Sequence, residues 1–421
     1  MSRGLYSLVM QGAQPLLRRK LRRRGAAEPG YLHAVGERFG HYAEAAQPGA
    51  LWIHAVSLGE TRAAAILVQA LRRRQPSLRL LLTHGTATGR AEGARLLGPG
   101  DAQAWLPWDT PQAVQRFLAH FKPAAGVLME TEVWPNLVAT CREAGVPLAL
   151  ANARLSPRSL RQARRLARLA RPAYGALAAV WAQTDADAKR LAEAGANVAG
   201  VWGNLKFDDS PDAAQLEQGH RWRALSVRPV VMFASSREGE EAALLRVLSD
   251  NRSLASTATW LLVPRHPQRF DDVAALAQDA GFTVGRRSSW TEAPNAADLW
   301  IGDSLGEMAL YYGMADAALL GGSFEPLGGQ NLIEAAACGC PVFMGPHTFN
   351  FSEAAELAQQ AGAAFRVAGL HEAVLRAVAL VAAPGARQAA AGAASVFAQA
   401  HRGAADRTAG AVLALLGRQG L

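Results

Sequence analysis

Residues 321 to 351 read GGSFEPLGGQNLIEAAACGCPVFMGPHTFNF, and this stretch shows the unit from which the chain is built. Two glycine pairs, at 321–322 and 328–329, bracket a short loop. A helix is predicted from about Asn331, and a buried strand over 341–344. Glycine lets a backbone approach a ligand closely, and the free N–H groups at a helix start attract anions. The pattern predicts either a nucleotide or phosphate site or a glycine-rich connection that serves packing alone.

The same alternation of strand, polar loop and helix recurs on both sides of this stretch. We predict strands over 51–56, 78–83, 126–129, 147–151, 178–183, 198–202, 230–234, 260–263, 299–301 and 316–320. Short apolar runs that each end in a polar loop and a helix are typical of parallel, doubly wound sheets. The sequence therefore predicts an α/β protein with two Rossmann-like domains facing across a cleft.

Composition and length agree with two domains. A chain of 421 residues, half of them hydrophobic, exceeds one ordinary core. The polar, proline-marked segment 208–211 is the expected boundary, which gives an N-terminal segment 1–30 and domains 31–208 and 209–421. Three cysteines are too few for a disulfide framework and favour a reducing compartment. Cys338 and Cys340 lack further ligands at metal-binding spacing, so no metal site is expected.

The net charge of +9 is concentrated in part near the N-terminus. An uncharged stretch over 4–17 precedes a basic cluster that contains Arg18, Arg19, Lys20, Arg22, Arg23 and Arg24. The stretch is too short to span a bilayer and does not match a secretory signal. An apolar helix followed by basic residues suits an anionic membrane surface, with an ordinary packed helix as the alternative.

A second basic segment lies in the middle of the chain. Seven arginines occur between residues 154 and 171, and no acidic residue occurs between Glu143 and Asp185. At roughly 100° per residue these arginines fall on one face of a single predicted helix. Such a face favours phosphates or anionic lipid, with a merely basic exposed face as the alternative. Nucleic acid is disfavoured because no aromatic residues interleave with the arginines. Arg154, Arg158, Arg161 and Arg165 are the candidate phosphate ligands.

The loops after the strands divide the chemistry between the two halves. The first half offers carboxylates at strand ends, at Glu60, Glu130 and Glu132. The second half offers cationic and anion-friendly groups, namely Ser235, Ser236, Arg265, His266 and the helix starts near Ser304 and Asn331. A base in one half and a phosphate-binding loop in the other suit group transfer from a nucleotide-activated donor to a hydroxyl. For any single glutamate the alternative is a helix cap.

These loops also resemble a known family. Gly59-Glu60, the sequence METEVWPN over 129–136, NARLS over 152–156 and GNLKFD over 203–208 carry the resemblance in the first half. PRHP over 264–267, Gly306-Glu307 and the opening stretch carry it in the second half. In this order they resemble the 3-deoxy-D-manno-octulosonic acid (Kdo) transferases, enzymes of the lipopolysaccharide inner core. The resemblance spans nearly the whole chain.

The resemblance implies a GT-B fold and inverting transfer of Kdo from CMP-Kdo to a lipid A precursor, without cofactor or metal. It implies that Glu60 is the general base and that Glu130 and Lys206 assist, with the choice between Glu130 and Glu132 open. The residues implied to bind CMP are Pro264, Arg265, Gly306, Glu307, Met308, Ser323, Asn331, Leu332, Ile333 and Glu334. The basic segments would then meet an anionic lipid at the cytoplasmic face of the inner membrane. The alternatives are another GT-B enzyme, such as a UDP-sugar epimerase, and a non-enzymatic basic binding protein.

Overall fold

The structure is a computed structural model and describes residues 1–417. The chain divides into two compact units. Unit 1 comprises residues 1–208 together with the chain from Arg402 onward, and unit 2 comprises Asp209–His401.

Unit 1 is built on a parallel sheet of seven strands in the order β3-β2-β1-β4-β5-β6-β7. Its strands are β1 Leu51–His54, β2 Leu80–His84, β3 Ala102–Trp105, β4 Ala125–Met129, β5 Leu148–Ala153, β6 Ala179–Ala182 and β7 Val198–Val201. Its helices are α1 Arg3–Gly12, α2 Gln14–Ala27, α3 Leu58–Arg74, α4 Ala87–Ala94, α5 Pro111–Phe121, α6 Pro135–Glu143, α7 Pro157–Arg165, α8 Ala167–Gly175 and α9 Asp185–Ala194. Short 3₁₀ turns cover Pro29–Leu32, Val35–Phe39 and Leu205–Asp208.

Unit 2 repeats the design with the strand order β10-β11-β9-β8-β12-β13-β14, again parallel throughout. Its strands are β8 Val230–Ser236, β9 Thr259–Pro264, β10 Val284–Arg286, β11 Leu299–Ile301, β12 Ala317–Leu320, β13 Val342–Met344 and β14 Ala364–Arg366. Its helices are α10 Ala213–Leu225, α11 Glu240–Asp250, α12 Arg252–Ala255, α13 Phe270–Asp279, α14 Met308–Met314, α15 Leu332–Ala337, α16 Ser352–Gln360, α17 Leu370–Val381 and α18 Pro384–Ala400. The 3₁₀ turns are Pro267–Arg269 and Arg287–Ser289.

The strand order places one point of reversal in each sheet. In unit 1 the chain builds outward from β1 to one edge and then returns to add β4 on the other side of β1. In unit 2 the same reversal falls between β8 and β12. In open α/β sheets, ligands bind outside the carboxyl ends of the strands at such a reversal. The loops after β1, β4, β8 and β12 are therefore where a site is expected.

The predicted α/β class with two Rossmann-like units is confirmed, and three strands are added to the prediction. The added strands are β3, β10 and β14, and each lies at the edge of its sheet. An edge strand pairs on one side only and is partly exposed, so its apolar run is short and polar residues interrupt it. The central strands show the opposite pattern: β1 and β4 are buried along their full length.

The last helix corrects the predicted extent of the second domain, 209–421. Helix α19 (Ala404–Gly417) packs on α3 of unit 1 through an apolar face that includes Ala405, Ala409 and Val412. The Asp208 carboxylate accepts the N–H groups of Gly403 and Ala405, the latter at 2.7 Å, and so anchors the start of this helix. The sequence of a helix with a face of small apolar residues does not indicate which of the two units that face packs on.

The N-terminal segment forms two helices, of which α1 is docked on one side. The Ser7 hydroxyl donates to Asn136 Oδ1 at 2.9 Å, and Arg3 forms an ion pair with Glu143 at 2.7 Å. Leu5, Leu8 and Val9 remain exposed on the other side. Within residues 1–417, none of the helices combines the length and the apolar character needed to cross a membrane.

The arginine-rich segment is two helices and not the single helix that was predicted. Helix α7 ends at Arg165, and α8 begins at Ala167 after a break at Leu166. The break interrupts the helical period, so the arginines do not share one continuous face. Arg154 lies before α7, in the loop after β5.

Candidate active site

Glu60 sits in the first turn of α3, directly after β1, and its carboxylate is held by two hydrogen bonds. Oε2 accepts the N–H of Val56 at 2.8 Å, and Oε1 accepts the Ser57 hydroxyl at 3.1 Å. The Ser57 hydroxyl oxygen in turn accepts the N–H of Glu60. This reciprocal arrangement is a variant of the capping box of an S-x-x-E sequence, in which the glutamate accepts the N–H of Val56 and not that of the N-cap residue Ser57. The cap therefore fixes the orientation of the carboxylate at the reversal point of the sheet.

The surroundings of Glu60 make it a stronger base than an ordinary carboxylate. Burial raises the pKa of Glu60 to about 7; the hydrogen bond from Val56 opposes this rise, and the negative charges of Glu130 and Glu132 add to it. A carboxylate with a pKa near the working pH can accept a proton from a reacting hydroxyl and still be available in its ionised form. The Glu60 carboxylate is thus fixed in orientation and basic enough to take up a proton near neutral pH.

Glu130 follows β4, the strand next to β1, and is held in a strained conformation. Its side chain is almost completely buried, and its backbone has a φ of 58°, in the left-handed region. Oε2 accepts a hydrogen bond from Nε of Arg154 at 2.7 Å, which also makes the pair an ion pair. Left-handed backbone at a residue other than glycine costs free energy and clusters at functional sites. Arg154, predicted as a phosphate ligand, has this carboxylate as its partner.

Glu132 lies two residues further on and is half-buried. Its carboxylate accepts the indole N–H of Trp134 at 2.8 Å. Burial raises its pKa, and the charge of Glu130 acts in the same direction. The two acids therefore differ. Glu130 forms an ion pair with the Arg154 guanidinium, whereas Glu132, like Glu60, has a pKa that burial raises.

Lys206 is brought toward the sheet by Asn152, the first residue of the NARLS segment, to which the sequence analysis gave no individual role. Asn152, in β5, also has a left-handed backbone, with a φ of 51°. Its Oδ1 accepts the N–H of Leu205 at 3.1 Å, and this bond fixes the 3₁₀ turn Leu205–Asp208 at the carboxyl end of the sheet. Lys206 is half-buried in that turn. The signal in the sequence for this role was an asparagine near the end of an apolar strand, because asparagine tolerates positive φ.

In unit 2 the opening glycine loop is anchored by a buried carboxylate, Glu240, which the sequence reasoning also missed. Its Oε2 accepts the N–H groups of Gly322 at 2.8 Å and Arg237 at 2.9 Å, and its Oε1 accepts the N–H of Phe324 at 3.3 Å. Glu240 begins α11 after β8, and Gly322 follows β12. One side chain therefore ties together the two loops at the reversal point of the second sheet.

The glycines of this loop are required by close approach and by backbone conformation. A Cβ on Gly321 would stand 2.2 Å from the carbonyl oxygen of Ser235, and Gly322 has a φ of 68°. The hydroxyl of Ser323 is fully buried, donates to the Leu320 carbonyl and accepts the N–H of Gly345 at 2.9 Å. These two hydrogen bonds give the Ser323 side chain an internal role in shaping the loop, and its contact with a donor stays a prediction.

The residues after this loop that were predicted to bind a nucleotide are of two kinds: buried apolar residues and polar residues. Asn331 caps α15 by accepting the N–H of Ile333 at 3.1 Å. Leu332 and Ile333 are buried, so their side chains pack in the unit. Glu334 is half-buried and lines a cavity of about 160 Å³ together with Gly306 and Met308.

This small cavity brings predicted residues together from separate parts of unit 2. Asp209 and Asp212 complete its acidic lining. The Gly306 carbonyl accepts the side-chain N–H of Gln215 at 2.9 Å. Glu307 does not line the cavity; its carboxylate pairs with Arg287 at 2.8 Å and accepts the Ser304 hydroxyl. The carboxylates of the lining can accept hydrogen bonds from hydroxyl groups, such as those of a ribose.

Pro264 and Arg265 lie at the carboxyl end of β9, beside β8. Pro264 is the last residue of the strand, and the N–H of Arg265 donates to the Ser236 carbonyl at 2.9 Å. Ser235, within β8, has a left-handed φ of 52°. Strained backbone thus marks β8 in unit 2 as well as the ends of β4 and β5 in unit 1.

The remaining predicted arginines are on the surface of unit 1. Arg158, Arg161 and Arg165 are exposed on α7, whereas the neighbouring Arg164 pairs with Glu193. Among residues 1–417, no group of three or more histidine, cysteine or acidic side chains is arranged to hold a metal ion.

The fold defines a class. Two Rossmann-like units, each built on a seven-stranded parallel sheet, are typical of the GT-B fold. The chain is similar over 88% of its length to a glycosyltransferase from Rickettsia africae ESF-5, covering 99% of that chain with a TM-score of 0.56 at 13% identity. It is similar to the same extent to a UDP-GlcNAc 2-epimerase from Neisseria meningitidis, covering 100% of that chain with a TM-score of 0.56 at 12% identity. These likenesses concern the fold alone.

Sequence similarity distinguishes the family. Residues 33–209 match the model of the 3-deoxy-D-manno-octulosonic-acid transferase (kdotransferase) family. The chain is 49% identical to the 3-deoxy-D-manno-octulosonic acid transferase of Bordetella pertussis, over 99% of this chain and 100% of the relative. The chain belongs to the Kdo transferase family, and the predicted resemblance is confirmed.

Proposed function

We propose that this protein transfers Kdo from CMP-Kdo to a sugar hydroxyl of a lipid A precursor, in synthesis of the lipopolysaccharide inner core. The observation that carries the proposal is Glu60, a capped carboxylate with a pKa of about 7 at the reversal point of the unit 1 sheet. Membership of the family supports Kdo as the group transferred.

In the proposed reaction the Glu60 carboxylate removes the proton of the acceptor hydroxyl. The hydroxyl oxygen forms a bond to the anomeric carbon of Kdo while the bond from that carbon to the CMP phosphate oxygen breaks. CMP leaves with the electron pair of the broken bond, and the proton stays on Glu60. A single displacement of this kind inverts the anomeric centre, and neither a cofactor nor a metal is part of the proposal.

Glu130 and Lys206 are proposed to assist this step from the neighbouring strands. The Glu130 carboxylate raises the pKa of Glu60, which makes Glu60 a better base. Lys206 supplies a positive charge near the same edge of the sheet, where it can oppose the negative charge that develops on the departing phosphate. Asn152 positions the turn that carries Lys206.

The donor is proposed to bind to unit 2, at the carboxyl ends of β8, β9 and β12. The acidic cavity lined by Gly306, Met308 and Glu334 suits the hydroxyl groups of a ribose. Arg265, at the end of β9, supplies the positive charge for the phosphate. Asn331, Leu332 and Ile333 are proposed to support Glu334 from the same short helix.

The acceptor is proposed to bind to unit 1 at the membrane surface. The exposed arginines Arg158, Arg161 and Arg165 suit its phosphate groups. The exposed apolar residues of α1 and the basic cluster that follows suit peripheral attachment to anionic lipid at the cytoplasmic face of the inner membrane. Co-sedimentation with vesicles of anionic phospholipid but not of neutral phospholipid would support this attachment.

The proposed reaction is tested with the wild-type protein, CMP-Kdo and a tetra-acylated, bisphosphorylated lipid A precursor. We expect release of CMP together with a Kdo-bearing lipid, separable by thin-layer chromatography. UDP-sugars serve as the control donors. Transfer from a UDP-sugar, or no transfer from CMP-Kdo by folded protein, would overturn the proposal.

A further inference from the structure

Unit 1 contains a cavity of about 360 Å³ between its N-terminal helices and the carboxyl ends of its sheet. One wall comes from α1 and α2, through Met10, Leu17 and Leu21. The facing wall comes from the loops after β1 and β3, and includes Val56 and Leu106. The larger part of the lining is apolar, as expected of a site that takes the hydrophobic part of a ligand.

The cavity adjoins the proposed base. Val56, on its wall, donates its N–H to Glu60 Oε2 at 2.8 Å. Glu132, whose charge contributes to the raised pKa of Glu60, also lies on the wall. A molecule that fills the cavity is therefore next to the group that activates the acceptor.

Positive charge borders this apolar space. Lys20 and Arg24 of α2 line it, and both residues are exposed. The Arg24 guanidinium lies 5.4 Å from the ring centre of Tyr31, which also lines the cavity. An apolar lining with a cationic border is complementary to an anionic amphiphile: the hydrocarbon fits inside, and the negative head group meets the lysine and the arginine.

Three nitrogen atoms of wall residues retain hydrogen-bonding capacity. Among the described residues, Arg38 Nε, His54 Nε2 and Trp108 Nε1 are buried without a hydrogen-bond partner. His54 Nδ1 lies 2.9 Å from the Thr83 hydroxyl and 3.1 Å from the Thr83 carbonyl, so Nε2 accepts or donates according to the tautomer. The indole N–H of Trp108 is a donor. On an otherwise apolar ligand, a hydroxyl group would satisfy His54 Nε2 in either tautomer, and a carbonyl group would satisfy Trp108.

We propose that this cavity binds an acyl chain of the acceptor, with the polar groups near the chain's attachment point meeting His54 and Trp108. One of the two acceptor phosphates then lies toward Lys20 and Arg24, and the arginines of α7 are left for the other. This inference rests on the proposed function and adds a role for α2, which forms part of the acceptor site. Chain binding beside Glu60 would hold the sugar hydroxyl close to the base.

A substitution that fills the cavity tests the inference. Leu17→Trp places a large ring in the cavity, and Leu16→Trp is the matched control because Leu16 is 68% exposed. We expect Leu17→Trp to raise the KM for the acylated acceptor at least tenfold, with the KM for CMP-Kdo unchanged. The KM for a chain-free, phosphorylated acceptor analogue should not change in either variant.

A direct binding measurement makes the test independent of transfer. Dodecyl phosphate, titrated calorimetrically below its micelle concentration, should bind the wild type and the Leu16→Trp variant alike and bind the Leu17→Trp variant at least tenfold more weakly. Inorganic phosphate should bind far more weakly than dodecyl phosphate. Met10→Trp fills the same cavity from α1 and replaces Leu17→Trp if that variant does not fold.

Two results would overturn the inference. Equal affinity of the filled and control variants for dodecyl phosphate would show that no chain enters the cavity. Equal affinity of the wild type for inorganic phosphate and dodecyl phosphate would show that only the charges bind. Dodecyl phosphate binding without any Kdo transfer by the wild type would leave the cavity in place and overturn the proposed function instead.

Discussion

Glu60 combines two tasks at the residue scale, since the same carboxylate binds the Val56 N–H and the Ser57 hydroxyl at the start of α3 and acts as the proposed base. The hydrogen bonds from Val56 and Ser57 stabilise the ionised form, but burial and two neighbouring acids outweigh them. The result is a carboxylate that is fixed in orientation yet able to take up a proton near neutral pH. A free surface glutamate offers neither property.

Replacing Glu60 by glutamine separates these two tasks. The amide oxygen can still accept the Val56 N–H and the amide N–H can donate to the Ser57 hydroxyl, but the amide cannot take up the acceptor proton. We expect kcat to fall about 100-fold or more, in the range typical of general-base removal. The melting temperature of the variant at pH 8 should stay equal or rise, because a disfavoured buried charge is removed.

Ser57→Ala is the control for this prediction. It should cost about 1 kcal/mol of stability because the helix cap is lost. Transfer by Glu60→Gln within about threefold of the wild type would exclude Glu60 as the base.

The pH dependence of transfer should report the ionisation of Glu60. The base must be ionised, so kcat/KM should rise with pH up to about 7 and then level off. Glu132→Gln removes one negative charge that raises the pKa of Glu60. The rising limb should therefore move to lower pH in this variant. Glu143→Gln, which alters an exposed acid paired with Arg3, should leave the limb unchanged. A limb that stays in place or moves to higher pH in Glu132→Gln would contradict the proposed coupling.

At the scale of elements, the reversal of strand order decides which loops meet. The loops after β1 and β4 carry Glu60 and Glu130, and the loops after β8 and β12 carry Glu240 and the glycine pair. Within each pair the loops are far apart in sequence and adjacent in the sheet. Glu240 makes this adjacency rigid, because its carboxylate accepts N–H groups from both loops.

Glu240→Gln should disturb the glycine loop over 321–329 more than the rest of unit 2. The glutamine amide places N–H groups against backbone N–H groups that the carboxylate accepts in the wild type. We expect the free energy of unfolding to fall by about 1.5–3 kcal/mol, as for a lost hydrogen bond to a charged group. The KM for CMP-Kdo should rise, with the KM for the acceptor unchanged. Glu238→Gln is the control, since the Glu238 side chain is half exposed and pairs with the adjacent Arg237. Equal donor KM values in the two variants would contradict this role.

Helix α7 offers a matched test of the arginine surface. Replacing Arg158, Arg161 and Arg165 together by glutamine should raise the KM for the lipid acceptor about tenfold or more, because phosphate contacts are lost. The KM for CMP-Kdo should not change. Arg164→Gln, on the same helix but paired with Glu193, should have little effect. High salt should reduce the difference between the triple variant and the wild type. An unchanged acceptor KM in the triple variant would show that α7 does not bind the acceptor.

At the scale of the whole molecule, the chain returns to its first unit after completing the second. Helix α19 covers α3 with buried Ala405, Ala409 and Val412, and Asp208 holds its start. A stop after His401 should lower the melting temperature of unit 1 and leave the transition of unit 2 in place, as seen by calorimetry. Val412→Asp should act in the same direction, whereas Val396→Asp, at a 66% exposed position, should not. A lowered transition of unit 2 in the truncated chain would contradict this assignment.

Much of the fold and of the candidate site could be predicted because the signals are local. The buried central strands are continuous apolar runs, and Glu60, Glu130 and the glycine pairs follow such runs directly. The prediction failed where the deciding contact is remote. The edge strands β3, β10 and β14 have weak patterns, and the break at Leu166 divides the arginine helix. Glu240 was missed because its carboxylate accepts hydrogen bonds from the backbone of a loop about 80 residues further on.

The sequence alone determined the class, the family and the positions of the acids and glycines, because periodicity and motifs are written in neighbouring residues. The tertiary structure decided which of these residues act together. Strand order sets β1 beside β4, the resulting burial and the nearby charges raise the pKa of Glu60, and the docking of α2 closes a cavity beside it. These properties depend on residues that are far apart in the chain. Electrostatic and packing free energies are set by the distances between atoms in space and not by their separation along the sequence.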